Sequence, residues 1–117
     1  MRRSAPRAWL IALLAGWLVT GPQGSGSAAG EPAARLHVVV IEDFSFLPQR
    51  IEIRPGDSIE WVNRDLAPHS ARATAGGWDS GALKRRASFR RTFAEAGTEA
   101  YFCAFHPQMR GEIVVAP

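Results

Sequence analysis

Short apolar segments separated by turn residues fill the chain from residue 35 to its end, and this pattern limits the possible folds most strongly. Turn residues, such as Pro55-Gly56-Asp57 and Gly76-Gly77, recur at roughly the 8–12-residue spacing of all-β domains. Helical character is confined to a possible single turn over residues 81–86. The sequence predicts an all-β domain of about seven to eight strands, arranged as a sandwich or a barrel. The predicted strands are Arg35–Ile41, Ile51–Arg54, Ser58–Asn63, Ser70–Thr74, Ser88–Phe93, Tyr101–Cys103 and Gly111–Val115.

Alternation inside these segments predicts which side chains face the core. Ile59, Trp61 and Asn63 fall on one face of their strand, so Trp61 is expected to be a core residue. Pro48 is expected to break β structure in the segment FSFLP. Arg91 interrupts the apolar face of SFRRTF, and we expect it near a sheet end with its charged head in water.

Residues 1–29 resemble an export signal rather than a structural element. Arg2, Arg3 and Arg7 precede an apolar run, AWLIALLAGWLV, which is followed by the small residues GSGSAAG. The run is shorter than the roughly 20 apolar residues that span a bilayer. We expect a signal peptide cleaved after Ala29 or Gly30, with an uncleaved anchor as the alternative, and a domain formed by residues 30–117. The general export route is preferred to a twin-arginine route, because no apolar residue closely follows the arginine pair.

The basic excess of the chain belongs to this leader. The full sequence has 14 Lys+Arg and 11 Asp+Glu, and removing the three leader arginines leaves 11 of each sign. The exported domain is therefore neutral overall, which argues against nucleic acid as its partner. The densest remaining charge is the basic run Lys84-Arg85-Arg86, followed by Arg90-Arg91. Its default interpretation is a solvated face, although such a patch could steer an acidic partner.

The only cysteine of the chain lies in the string C-A-F-H-P-Q-M, which places Cys103, His106 and Met109 on one short loop. His69 lies on the loop after a different strand. Two imidazoles, a thiolate and a thioether are the donors of blue-copper sites, in which a His2Cys plane carries a weak axial Met. Zinc fits less well, because structural zinc sites use Cys and His and rarely Met. The alternative for each residue alone is structural: a buried cysteine, or a methionine that fills the core.

Longer stretches of sequence resemble a known family. The strings F-S-F-L-P, I-E-I-R-P-G-D-S-I-E-W-V-N, A-P-H and Y-F-C-A-F-H-P-Q-M-R-G-E-I-V-V are similar to the small blue (type 1) copper proteins, the cupredoxins, over about residues 36–116. Amicyanin and plastocyanin are the members that the chain most resembles, and the compact Cys-x2-His-x2-Met loop is of the amicyanin type. The resemblance implies a Greek-key β-sandwich with His69, Cys103, His106 and Met109 as ligands of one copper ion.

Some positions depart from the family pattern. Ser70 stands where Asn often follows the first ligand histidine, and Ala104 stands where Ser or Thr often follows the cysteine. Both changes are expected to remove hydrogen bonds around the ligands. Glu99 replaces a frequent Tyr, which puts the usual tyrosine brace in doubt. His37, the remaining histidine, lies on a strand away from the ligand loops and is not expected to bind metal.

The resemblance implies a periplasmic one-electron carrier rather than an enzyme. Redox proteins are expected to dock transiently near His106, beside Pro68, Phe105 and Pro107, and the mature protein is expected to be a monomer that does not span a membrane. The alternative on the same fold is copper handling, as a chaperone or in scavenging or tolerance. A hydrolytic Cys–His enzyme is a weaker hypothesis, since no residue evidently orients the histidine and Met109 would have no role.

Overall fold

Eight β-strands form the domain. The computed structural model describes residues 32–117 without a gap, and residues 4, 5, 12, 15, 16, 18, 20, 21 and 24 before them. No α-helix occurs among these residues. The strands are β1 (Leu36–Glu42), β2 (Ser45–Leu47), β3 (Arg50–Ile53), β4 (Ser58–Asn63), β5 (Arg72–Ala73), β6 (Ser88–Thr92), β7 (Gly97–Phe102) and β8 (Arg110–Val115).

The strands form two four-stranded sheets, with the orders β2-β1-β4-β6 and β3-β8-β7-β5. Strands β1 and β4 pair in parallel, as do β3 and β8, while the other pairs are antiparallel. Side chains from both sheets share one core, as in a β-sandwich. The predicted all-β sandwich is therefore confirmed. We call the end at which β1, β4 and β7 finish and β6 and β8 begin the upper end, and the opposite end the lower end.

The core is built by the predicted alternation and is rich in aromatic rings. Ile59, Trp61 and Asn63 are fully buried along β4, which confirms their shared face. The Trp61 ring lies 5.2 Å from that of Trp78 and 5.5 Å from that of Tyr101, between ring centroids. The Tyr101 ring also lies so close to Gly111 that a Cβ there would collide with it. A glycine is therefore required at this position of β8.

Three local predictions were wrong. Ser45–Leu47 forms β2, because Pro48 lies just beyond the strand and leaves its pairing with β1 intact. Gly97 and Thr98 lie outside the predicted strands, but they begin β7 and pair with Val115 and Val114 of β8. The possible helical turn at residues 81–86 is absent, and Leu83 instead makes a β-bridge with His69.

Arg91 also differs from its prediction. Its Cζ lies 5.7 Å from the ring centroid of Trp78 and 5.5 Å from that of Phe93, and its Nε is buried. The guanidinium therefore packs on aromatic faces, as in a cation–π contact, instead of being fully hydrated.

A buried carboxylate, Asp57, ties strands together at the lower end. It accepts hydrogen bonds from the backbone N–H groups of Arg35 and Arg54, at 2.8 and 3.1 Å, and from His37 Nε2 at 2.9 Å. The Arg35 bond, then the His37 and Arg54 bonds, lower the pKa of Asp57 from its ordinary 3.8 to about 2. His37 thus has a structural partner.

This pKa predicts a loss of stability in acid. A carboxyl with a lowered folded-state pKa stabilises the fold at pH values above its unfolded pKa, and that contribution is lost as the pH falls towards about 2. The denaturant midpoint of the metal-free protein should therefore fall between pH 4 and pH 2. An Asp57→Asn variant should be less stable at pH 6 and should lose less on acidification. An equal acid loss in both proteins would contradict this role for Asp57.

The chain divides into two compact units, Met1–Glu31 and Pro32–Pro117. The predicted signal peptide falls within the first unit, mostly outside the described residues, and its described residues lie in neither a helix nor a strand. Nowhere in the described part of the chain does a helix have the length and apolar character needed to cross a membrane.

Candidate metal site

Three of the four predicted ligands meet at the upper end of the sandwich. His69 lies on the loop after β4, while Cys103 and His106 lie on the loop that joins β7 to β8. Cys103 Sγ is 3.8 Å from His69 Nδ1 and 4.0 Å from His106 Nδ1, and the three donor atoms lie within 4.8 Å of one another. The sandwich therefore brings together donors from two loops that are distant in sequence.

Asn63 shapes the loop that carries His69. Its side-chain amide donates to the backbone oxygens of Ala67 and Leu83, at 2.9 and 2.8 Å, and its Oδ1 accepts from Asp65 N at 2.9 Å. The His69 and Leu83 backbones exchange two hydrogen bonds, of 3.1 and 2.7 Å. The Asn63 bonds fix the loop before His69, and the Leu83 bonds fix the backbone of His69 itself. Sequence reasoning placed Asn63 on the buried face but gave it no role, although a buried amide requires partners.

Asp65 orients the His69 ring, and sequence reasoning missed this residue. His69 Nε2 donates to Asp65 Oδ2 at 2.7 Å, because a carboxylate can only accept. In the neutral imidazole, His69 Nδ1, which faces Cys103, then carries no proton and its lone pair can bind a metal ion. Carboxylate–histidine pairs of this kind fix the tautomer and ring orientation of metal ligands.

Asp65 is in turn held by the β1–β2 turn. It accepts from Asp43 N at 2.8 Å and from Phe44 N at 2.9 Å. Burial raises the pKa of Asp65, but the hydrogen bonds from Phe44, His69 and Asp43 outweigh it, so the pKa lies below its ordinary value. The carboxylate therefore remains charged at neutral pH, and the turn fixes its position.

Phe44 covers the two imidazoles. Its ring meets those of His69 and His106 edge to face, with centroids 5.0 and 4.9 Å apart. Phe44 has a φ of 54°, a left-handed conformation that is uncommon for a bulky residue. This backbone conformation lets one residue contact both histidine rings while its N–H bonds Asp65.

The loop from Cys103 to Met109 is closed by its own backbone. Cys103 N donates to Met109 O at 3.1 Å, and Met109 N donates to His106 O at 2.9 Å. The Met109 side chain is only 3% exposed, and Cys103 is fully buried. Ser70 N donates to Cys103 Sγ at 3.3 Å, a bond that would stabilise a thiolate.

The expected loss of hydrogen bonds at Ser70 was wrong. Ser70 Oγ accepts from Ala104 N at 2.9 Å, so serine still joins the two ligand loops. The side chain of Glu99 accepts from Trp78 Nε1 at 3.2 Å, which gives this departure a structural role as well. The Tyr101 hydroxyl is buried without a partner among the described residues, and burial raises its pKa to about 12.

Removing the Ser70 hydroxyl should weaken the joined loops. Ser70→Ala would leave the part-buried Ala104 N–H without an acceptor, at a cost of about 1–3 kcal/mol in the free energy of unfolding. Ser45→Ala is the matched control, because the exposed Ser45 hydroxyl makes only a 3.4 Å bond. Chemical denaturation of the metal-free variants measures both losses. Equal losses would show that the bond between the loops contributes nothing.

The donor set suits copper better than a hard cation. Two imidazole nitrogens and a cysteine sulfur converge in a largely buried volume, and soft sulfur together with imidazole selects copper or zinc over magnesium or calcium. Only His106 among the donors is partly exposed. The residues therefore fit one copper ion. Buried side chains would hold most of it, and solvent would reach the site only at His106.

The comparisons with known proteins decide the family. A family model described as copper-binding proteins of the plastocyanin/azurin family matches residues 34–116. The chain belongs to this family. It is 37% identical to amicyanin of Paracoccus denitrificans over 101 residues, and this alignment covers 82% of this chain and 77% of that protein. It is 33% identical to amicyanin of Paracoccus versutus over 93 residues, and this alignment covers 75% of this chain and 70% of that protein.

Solved structures agree with this assignment. An oxidised amicyanin mutant superposes with a TM-score of 0.66 at 30% identity, covering 68% of this chain and 81% of that one. The Cu(I) form of another amicyanin mutant also gives 0.66, at 32% identity, with coverages of 73% and 86%. The resemblance to cupredoxins is confirmed, and copper is the metal of this family.

Proposed function

We propose that the protein is a soluble one-electron carrier in which His69, Cys103 and His106 hold one copper ion and Met109 is a weak axial ligand. The observation that carries this proposal is the convergence of two imidazole Nδ1 atoms on the Cys103 sulfur. A copper ion held by these donors would supply one-electron chemistry, alternating between Cu(II) and Cu(I). Support for Met109 comes from its buried position on the same closed loop.

Rigidity of the donors suits this role. His69 is held by Asp65 and by the Leu83 backbone, and the Cys103 sulfur is held by the Ser70 N–H. Donors that are fixed before the electron arrives need to move little afterwards, which keeps the reorganisation on electron transfer small. The protein therefore contributes preorganisation, and no proton transfer is required of these residues.

His106 is the proposed electron port. His69 and Cys103 are fully buried, whereas His106 is partly exposed. Its sequence neighbours Phe105 and Pro107 are exposed, as is Pro68. A small apolar surface beside a reachable ligand is suited to brief docking of a redox protein, with a small buried area.

Burial favours the carrier over the two alternatives. Copper transfer by ligand exchange needs an accessible thiol, but Cys103 has no exposed surface. A hydrolytic enzyme deserves comparison because Asp65, His69 and Cys103 form a connected series resembling a catalytic triad. Sequence reasoning found no residue that orients a histidine, and Asp65 does so. Even so, a fully buried sulfur gives a substrate carbonyl no approach, so this geometry does not support hydrolysis.

The export proposal rests on the sequence of residues 1–29. We propose cleavage near Ala29 or Gly30, release into the periplasm and a monomeric mature protein. The basic residues before an apolar run and the small residues after it support this. Mass spectrometry of the protein from a periplasmic extract would give the cleavage site.

Addition of Cu(II) to the purified protein tests the function. One equivalent should produce intense visible absorption from charge transfer between sulfur and copper. Ascorbate should bleach it and an oxidant should restore it, with fast electron self-exchange. Thiol alkylation should be blocked in the copper-loaded protein. Absence of the visible band would refute the site, while a coloured protein that readily loses its metal to an acceptor would favour copper handling.

A further inference from the structure

Backbone hydrogen bonds tie the basic run Lys84–Arg86 to the loop that carries His69, although the run is remote from most of the ligands in sequence. Leu83, the residue before it, is hydrogen-bonded through its backbone to His69. Arg86 N donates to Asn63 O at 2.7 Å, and Asn63 holds the loop that carries His69. The run is therefore part of the upper end of the sandwich.

Five exposed cations at the upper end have no described carboxylate within 4.0 Å. Across residues 32–117 as described, Arg50, Arg72 and Arg90 have carboxylates within 4.0 Å, whereas Arg35, Arg54 and Arg91 have none. No described carboxylate lies within this distance of five exposed cations of the upper end, which are Arg64, Lys84, Arg85, Arg86 and Arg110. Arg72, at the same end, is paired with Asp79. These five positive charges are free to act on a partner.

The carboxylates of the same end do not cancel them. Glu42 and Asp43 lie at the end of β1, and Asp65 is committed to His69. With the Arg72–Asp79 pair included, six cations face four anions at this end. Residues 30–117 carry 11 charges of each sign, so the remainder of the domain must be net negative. The domain is therefore a dipole whose positive end is the upper end, the end that carries His106.

Backbone strain supports a role for one of these cations. Arg86 has a φ of 69°, a conformation that glycine adopts without strain and arginine does not. An arginine retained there costs stability that a glycine would not, as is common at functional sites. The other described non-glycine residues with positive φ, Asp43 and Phe44, belong to the same end, and their N–H groups donate to Asp65, which orients the His69 ring.

Exposed apolar side chains accompany the charge. Leu66 is 81% exposed, Phe105 50% and Phe44 48%. Protein–protein interfaces usually have an apolar centre surrounded by a rim of polar and charged side chains. Because this surface is positively charged, a protein that docks on it should present an acidic face.

We propose that the upper end docks the acidic face of a redox protein, with partner carboxylates opposite Arg64 and Lys84–Arg86 and apolar contact at Phe105 and Leu66. This inference rests on the proposed electron-carrier function. One electron passes from the reduced protein to the oxidised partner, or in the reverse direction, with no bond made or broken. The positive end orients the protein during encounter, so that His106 faces the partner.

Two small redox complexes of opposite charge test the local field. The reduced copper protein is oxidised either by hexacyanoferrate(III), an anion, or by tris(phenanthroline)cobalt(III), a cation. Lys84→Glu combined with Arg85→Glu reverses charge at the upper end. Arg35→Glu combined with Arg54→Glu makes the same change in net charge at the lower end, and both positions are exposed.

The upper-end variant should react roughly tenfold more slowly with the anion at low salt, and faster with the cation. The lower-end variant should change much less. At 1 M salt, where the Debye length is about 3 Å, the differences should largely disappear. Equal changes in both double variants would overturn the proposal by showing that only net charge matters, and unchanged rates would return the run to a solvated face.

A binding measurement independent of copper complements these rates. Polyglutamate added to the metal-free protein should shift the backbone NMR signals of residues 64–66, 84–86 and 105, and not those near Arg35 and Arg54. Shifts spread evenly over both ends would overturn the proposal. Failure of the electron-carrier function would appear separately, as the absence of a reversible visible band in the unmutated protein.

Discussion

Replacing Cys103 with serine should abolish the visible absorption of the copper-loaded protein. The absorption is expected from charge transfer between a thiolate and copper, and a serine hydroxyl neither ionises at neutral pH nor offers a soft donor. Groups that merely support a ligand are worth roughly 10–100-fold in metal affinity, so loss of the thiolate should cost more. Absorption spectroscopy and copper titration measure the two effects.

The fold should survive this change. Serine is close to cysteine in size, and its Oγ can accept the hydrogen bond that Ser70 N donates to Cys103 Sγ. The far-UV circular dichroism spectrum should therefore match that of the unmutated protein. A folded Cys103→Ser protein that remained blue would refute the proposed ligand set. A blue Ser70→Ala protein serves as the control, because it loses a bond around the site but no ligand.

Strands that are determined by the alternation of their own residues were predictable from the sequence. The segment SIEWVN alternates strictly, and the structure places β4 at the same residues, Ser58–Asn63. Gly97 and Thr98 were not predictable in this way, because glycine after Glu95-Ala96 suggests a turn. Their strand conformation comes from pairing with Val115 and Val114, at the far end of the sequence. Non-local pairing overrides the local preference there.

The metal ligands were also predictable from local sequence, whereas the residues that hold them in place were not. Cys103, His106 and Met109 were recognisable because one short loop holds rare soft donors in close spacing. Asp65 was missed, because its role depends on the β1–β2 turn, whose N–H groups hold the carboxylate against His69. The role of Ser70 was predicted wrongly for a related reason. Whether a short side chain can join two loops depends on how closely the sheets bring them together, and here Ala104 N is 2.9 Å away.

Met109 should tune the reduction potential without being required for copper binding. A thioether is a weak donor that favours Cu(I), while His69, Cys103 and His106 can hold the metal without it. Met109→Gln supplies a harder oxygen that favours Cu(II), so the potential should fall. Met109→Leu removes axial donation, so the potential should rise. Each 59 mV is a tenfold change in the equilibrium of a one-electron couple, and cyclic voltammetry resolves shifts of this size.

Gln108→Leu is the matched control for these variants, because Gln108 lies on the same loop but is exposed, whereas Met109 is buried. The control should leave the potential nearly unchanged. Both Met109 variants should still bind about one copper per chain, because the strong donors of the site are intact. Loss of all copper from Met109→Leu would show that the thioether is a necessary ligand. Potentials that match the control in both variants would show that Met109 fills the core without touching the metal.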